Sequence, residues 1–536
     1  MKKNDIFIIL CDLILVLLVY YFELPPLNLS SPEFWLFAFI VCIIIFISII
    51  LRNNSEFLLK KHLDTRIFKV YKYFFISIIV VLLVIGIINF FSIPLFNAKE
   101  YSERITIDES HEFISDVKEV DFSKIPLIDK ESSQKLGDRK MGEFTSWVSQ
   151  FYVSDLYTQI NYNSEIIRVT PIEYAGLIKY FTNRDEGVKG YIKFNSVNGS
   201  SSLVELEEGI KYLPSAYFFE NLYRKLRLEN PTTIFDEAAF EIDNEGNPFW
   251  IVPTIKYKGI GLKKEISGVV ILNAITGESK KYDVKDIPSW VDHVYNAELI
   301  IEQIDNWGEF RNGFFNSIFG QTDVINTTEG YNYLVMDDDV YLYTGITSVS
   351  SDESNLGFVL VNMRTKETKY YLVPGAEEYS AMASAEGLVQ EKKYKSSFTL
   401  FIHLNKKATY LLSLKDNAGL VKMYAFIDVA DYQKVVVSDA SLGIEAAASK
   451  YLGDNTIINT DKLINKTITI KSITDAVIEG NTYYYIVDNN NNLYTASIKI
   501  NKNILPFLKK DNVVKISYNE GNVSQIATIE LSSNNE

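Results

Sequence analysis

Four histidines, His62, His111, His293 and His403, are spread over 536 residues. None stands in an HExxH, HxH or other paired spacing, so the sequence offers no ligand set for a zinc hydrolase. His293 follows Asp292, the pairing in which a carboxylate orients an imidazole, but no nucleophile accompanies it and the pair reads as structural. His403 falls inside an alternating strand pattern. Both cysteines, Cys11 and Cys42, lie in apolar runs, which leaves no cysteine nucleophile elsewhere. Ser132-Ser133-Gln134-Lys135 matches SxxK without a KTG or SDN partner, and neither a GxSxG elbow nor a GxxxxGK[ST] phosphate loop occurs. Asp337-Asp338-Asp339 and Asp488–Asn492 carry the oxygen donors calcium takes, but lack EF-hand spacing and read as acidic hairpin turns. The 68 acidic residues single out no glycosidase pair. The chain therefore reads as a non-enzyme with no catalytic, cofactor or metal residue. Two kinds of candidate remain: Asp12, a carboxylate inside an apolar run, and Tyr483, Tyr485 and Tyr494, possible partner-binding aromatics near the C-terminus.

The elements that carry these residues fall into two unlike parts. A mean hydropathy of +0.02 and a net charge of −15 are averages over both. Ile6–Phe22, Phe34–Leu51 and Phe74–Phe91 are apolar runs, and about 17–25 residues cross a bilayer as a helix. Residues 1–96 form the expected three-helix anchor. The first loop, 23–33, has no Lys or Arg, whereas the second holds Arg52, Lys60, Lys61, Arg66, Lys69 and Lys72. The positive-inside rule places the N-terminus in the cytoplasm and residues after about 97 outside the cell membrane. Tyr20, Tyr21 and Trp35 then fall at the outer interface. Eight basic against six acidic residues give the anchor a charge of +2, which leaves −17 on the remainder. Such acidity argues against nucleic acid as a partner.

The exterior reads as an α+β chain of tandem modules. Residues 97–135 look like a polar stalk within a lead-in domain, 97–230. In it, Thr170-Pro171-Ile172-Glu173 forms a capping box that should open a helix through about Phe181. Tyr191–Val197 and Ser202–Leu206 alternate as strands, and Pro214-Ser215 should open a helix to Leu228. Strands follow at Ala239–Asp243, Phe249–Lys256, Gly268–Asn273 and Lys280–Asp283, with helical segments from Pro288 to about Phe319. Gly268–Tyr282 then recurs as Gly357–Tyr371, 89 residues later, with seven of 15 positions identical. This implies two copies of one module, 231–330 and 331–440. Strands at Phe398–Leu404, Thr409–Leu414 and Leu420–Val429 precede a helical linker, 441–461. Five strands with a short helix between the third and fourth make residues 462–536 an OB-like β-barrel.

The strings FEIDNEGNPFWIVPTI and GVVILNAITGESKKY resemble PepSY-type modules, although Lys366 replaces the turn glycine in the second copy. The layout of the whole chain is similar to uncharacterised membrane proteins of low-GC Gram-positive bacteria. The PepSY resemblance implies a regulator or inhibitor of an exported peptidase or cell-wall enzyme. The leading expectation is instead a scaffold or binding subunit of a cell-envelope assembly. Its expected partners are membrane lipid and another membrane or envelope protein, since three spans exceed what tethering needs. An unrecognised cell-wall hydrolase is the third reading.

Overall fold

In a computed structural model, residues 3–57, 65–336, 338–349, 351–453, 464–478, 481–519 and 524–531 are described. Three N-terminal helices, Lys3–Glu23, Pro32–Phe57 and Thr65–Ser92, are long and apolar enough to cross a membrane. Their side chains stay almost wholly exposed, as expected of surface that lipid covers. Everything after them is mixed α/β.

One connectivity recurs in four successive sheets. In each unit a helix leads into five strands, the third of which is central. The first two strands pair with the third, the third with the fourth, and the fourth with the fifth, all antiparallel. The leading helices are Lys130–Gly142, Leu222–Glu229, Ala297–Phe310 and Glu378–Leu388. The central strands are Glu165–Tyr174, Pro248–Tyr257, Asp339–Ser348 and Lys407–Lys415. A further helix, Ile444–Tyr451, follows the fourth unit.

Successive sheets share cores, because alternate residues of each strand face opposite sides. Trp250 and Val252 join the core with the first unit, whereas Ile251 joins the core with the third. Leu342 and Val361 face the second unit, and Tyr343 and Leu360 face the fourth. The last sheet turns Leu411 and Phe426 toward the Ile444–Tyr451 helix. The helix leading into each of the second, third and fourth units packs in the core between that unit and the one before it.

The hairpin between the fourth and fifth strands is also repeated. The side-chain oxygens of Asn195, Asn273 and Asn362 each accept the backbone N–H groups two and three residues on. Four residues after each Asn the chain turns left-handed, at Gly199, Gly277 and Lys366. Five residues before each Asn stands Gly190, Gly268 or Gly357, where a Cβ would lie 2.5, 2.3 and 2.3 Å from the carbonyl oxygen of Val204, Tyr282 or Tyr371. The fourth unit uses Met423 and Asp428 at these places. The spacing GxxxxN followed four residues later by a left-handed residue, glycine in the first two units and Lys366 in the third, therefore runs through three units, one more than the 89-residue identity reveals.

Several sequence expectations are displaced. The capping-box residues 170–173 lie in the strand Glu165–Tyr174, and the helix begins only at Leu177. Pairing with Val188–Asn195 outcompetes the local cap, and Glu173 instead accepts from Ser154 Oγ and Ser215 N. The next helix starts at Leu222 with Asn221 as its cap rather than at Pro214. Residues 288–296 are not helical, and the helix occupies Ala297–Phe310. The helix Glu378–Leu388 precedes the strands expected from Phe398 onward, in a stretch where the sequence predicts no element.

Residues 97–135 are no stalk. Ile105, Phe113 and Phe122 enter three different cores, and Ile107–His111 adds a parallel strand to the third sheet. Isolated apolar residues spaced several apart carry no periodicity, so the segment looks featureless in the sequence while strapping the units together. It ends where Lys415 pairs with Asp129 and Ile128 N donates to Ser196 O, joining the first and fourth units.

Beyond the units, strands Ile464–Ile478, Asn481–Asp488, Leu493–Ser497, Ser524–Leu531 and Val513–Asn519 pair in that order, and the last pairs back with the first. The turn residues Glu479, Gly480, Glu520 and Gly521 lie outside the described residues.

Gly268→Ala and Gly357→Ala should each lower the unfolding free energy by about 1–3 kcal/mol, because the methyl group collides with a strand carbonyl. Gly387→Ala, in the last turn of a helix with nothing within 4 Å, should be neutral or gain up to about 1 kcal/mol. Thermal unfolding of the purified chain checks the contrast.

Candidate functional site

A set of long-range polar contacts joins the anchor to the second unit. The loop between the first two spans lies against it: Leu27 N donates to Pro231 O at 2.7 Å, and Gly261 N donates to Ser30 O at 3.0 Å. Asn28 Nδ2 donates to Thr232 O at 3.1 Å. At the end of the third span, Asn89 and Ile260 exchange two hydrogen bonds, of 3.0 and 2.9 Å. Arg227, 7% exposed, donates to Leu24 O, and the Arg224 guanidinium sits 4.0 Å from the Tyr21 ring centroid. Backbone approach is close enough that a Cβ on Gly261 would lie 2.6 Å from Pro32 Cγ.

A second knot follows the third span. Arg104, 8% exposed, pairs with Glu265 at 2.8 Å and with Glu302, and donates to Lys264 O. Lys366 Nζ donates to Arg104 O at 2.6 Å. That bond gives the left-handed Lys366 a role no glycine could fill. Spans one and three are thus fixed to the units through backbone and buried charge, not through a free linker. It follows that the first interspan loop and the units lie on one side of the spans.

Deep between the first three units, Glu241 and Asp292 are fully buried. Glu241 accepts backbone N–H bonds from Asp292 and His293, and Asp292 accepts one from Asn161 N. His293 beside them is half-buried: its Nε2 lies 2.7 Å from Gln159 O, and its ring is edge-on to Tyr333. Burial pushes the Glu241 carboxyl up to about 7 and the His293 imidazole down to about 4. Asp292 is also raised well above the usual carboxylate range, by burial and then by Glu241. The Asp292-His293 pair is therefore part of an enclosed lock between units, consistent with its structural reading.

Asp12 accepts a hydrogen bond from Ser48 Oγ of the second span. It thereby links two spans. Tyr494 is buried inside the C-terminal ring, where its ring meets Tyr518 edge-on and its hydroxyl lies 3.0 Å from Lys466 Nζ. Tyr483 and Tyr485 alternate with the core residue Ile486 and are half-buried, so the three tyrosines do not share one face. Asp337 and His62 lie outside the described residues; Asp339 is paired with Arg364 at 2.7 Å and Asp338 accepts from Asn161. Among the described residues, no group of three or more His, Cys, Asp or Glu side chains could hold a metal ion.

A cleft of about 890 Å³ opens where the lead-in meets the third and fourth units. Phe113, Ile114, Leu372 and Val373 supply its apolar lining, and Glu112, Asp431, Lys406 and Lys434 stand around it. The adjoining strand Ile107–His111 has an open edge, but it is acidic and carries a register shift. Both features resist strand addition, so the cleft suits side chains rather than a paired strand. No sequence signal announces this cleft, because its walls come from segments far apart in the chain.

No protein-family model matches the chain, and no curated protein matches it.

The buried lock sets a pH dependence. Below about 4.5 Glu241 is protonated in folded and unfolded chains alike; between about 4.5 and 7 only the unfolded chain releases the proton, so stability falls as pH rises. Asp292 acts in the same direction. His293 opposes them, because stability is lost as pH falls from about 6.5 to 4. His293→Gln should therefore steepen the loss of stability between pH 4.5 and 7, and Glu241→Gln should flatten it. Denaturant unfolding across that range measures both slopes.

Proposed function

We propose that this chain is a membrane-anchored scaffold, a binding subunit of an envelope assembly whose four units stand outside the cell. The observation that carries this reading is the clamp between the second unit and the span ends. A tether needs one span and a loose linker; this chain instead fixes the orientation of its exterior relative to the bilayer. Fixed orientation is what an assembly requires of the part that positions others. The basic second interspan loop and the first loop, which has no Lys or Arg, support an exterior location by the positive-inside rule. The Asp12–Ser48 bond supports close packing of the spans, which leaves their outer faces for a lateral protein neighbour.

The cleft beside Phe113 supplies a binding surface on that scaffold. Its apolar lining and mixed-charge rim suit a partner segment that inserts one or two apolar side chains between charged neighbours. The C-terminal ring adds an OB-like module. Its order of first, second, third, fifth and fourth strand supports that assignment, as do the short helical turns Ile498–Ile500 and Leu505–Phe507 between the third and fourth. The recurring connectivity, with the GxxxxN spacing of the first three units, supports descent of the units from one repeated module. The peptidase-regulator reading rests on residues 231–371 alone, whereas the recurring connectivity extends beyond them on both sides.

A photo-crosslinking residue placed at Leu372, which is 73% exposed, tests the reading in native membranes. The expected result is a discrete heavier adduct that Ile114→Asp diminishes by about tenfold. Recovery of the chain alone, with no adduct after mild solubilisation, would overturn it.

A further inference from the structure

Two exposed apolar patches flank the anchor at the depth where the spans end. The first belongs to the first two units. It comprises Ile178 and Phe181 on the helix Leu177–Asn183 and Phe219 in the following connection, at 76, 52 and 69% exposure. Its position is fixed by Arg224, which donates to Phe218 O at 2.7 Å while covering the Tyr21 ring two residues before the first span ends. Phe218 in turn meets Phe181, ring centroids 5.8 Å apart. The second patch is the turn after the third unit's helix, with Phe315, Ile318 and Phe319 at 66, 51 and 80% exposure. It is placed by Tyr101, whose hydroxyl donates to Ser92 O at the end of the third span and whose ring meets Phe310, stacked in turn on Phe314.

Large aromatic and branched side chains facing water in this number are costly, and each would lose that cost at a lipid interface. Basic residues border both patches: Lys179 and Arg184 beside the first, Arg311 beside the second. Apolar tips with adjacent cationic side chains match the chemistry of the headgroup boundary. The Arg224 and Tyr101 contacts tie both patches to the ends of helices long and apolar enough to cross a membrane. We infer that Ile178, Phe181 and Phe219 on one side, and Phe315, Ile318 and Phe319 on the other, insert into the outer-leaflet interface. They hold the first and third units against the bilayer surface on either side of the anchor. The partner is the lipid surface itself. The inference uses only the spans and the clamp, so failure to find a protein partner at the cleft would leave it standing.

The test uses the full chain in lipid nanodiscs, with Cys11→Ser and Cys42→Ser as background. Spin labels are placed one at a time through Ile178→Cys, Phe219→Cys and Phe319→Cys. Leu17→Cys serves as a lipid reference and Tyr432→Cys as a water reference. These side chains pack little, so labelling leaves the folded core intact. Oxygen concentrates in lipid and a hydrated nickel chelate is excluded from it, so labels in the patches should show an oxygen-to-nickel accessibility ratio on the order of tenfold above the water reference. Ratios equal to the water reference at either patch would overturn the inference. Low access to both reagents would also overturn it, because a protein would then cover the patch.

Discussion

Two-faced sheets govern this structure. A sheet apolar on both sides cannot stand alone in water, since burying one face leaves the other exposed. The alternation of Trp250, Ile251 and Val252 between two cores states the problem within three residues. Each unit must therefore find a neighbour before it and another after it. The recurring answer is a helix plus the next sheet, and at the end of the series the Ile444–Tyr451 helix. The lead-in contributes side chains to three of the cores, Phe122, Ile125 and Leu127 to one of them, which ties early sequence to late sequence. The first and fourth units then meet through Asp129 and Lys415. Removing one unit from such a series would expose two faces, so the units are interdependent rather than beads on a string.

That interdependence gives the anchor its meaning. Contacts made by the second unit at Leu24, Asn28, Ser30 and Asn89 orient not just that unit but the whole array built on it. Arg104, Glu265 and Lys366 extend the same fixation to the third unit. A chain built this way transmits the orientation of its spans to surfaces far along its sequence, including the cleft that ends at Lys434. The exposed aromatic patches at Phe219 and Phe319 belong to the units that these contacts hold to the span ends.

Much of this was legible from the residues. The spans announce themselves by length and apolarity, and most strands by alternation or apolar runs bounded by turn residues. The identity between Gly268–Tyr282 and Gly357–Tyr371 marked the hairpin whose Asn and Gly are required by a side-chain cap and a close strand crossing. The same spacing at Gly190, Asn195 and Gly199 was there to be read, but fewer of its neighbours are identical. What stayed hidden was set by tertiary competition. Thr170–Glu173 has a helix cap's spelling and a strand's environment. Lead-in residues such as Ile105 and Phe113 gain their partners only across hundreds of positions. Tyr494 looks like the half-buried Tyr483 and Tyr485 until strand alternation sends it inward. The carboxyl pair Glu241 and Asp292 joins two units from positions 51 residues apart, with no motif to announce it.

The central claim is that the exterior and the span ends form one rigid body. The most direct measurement is the distance distribution between spin labels at Leu29→Cys, in the first interspan loop, and Tyr432→Cys, in the fourth unit, in the cysteine-free full chain in nanodiscs. The account predicts a single narrow distance that Arg227→Ala together with Asn89→Ala broadens. A broad distribution in the parent background would contradict it.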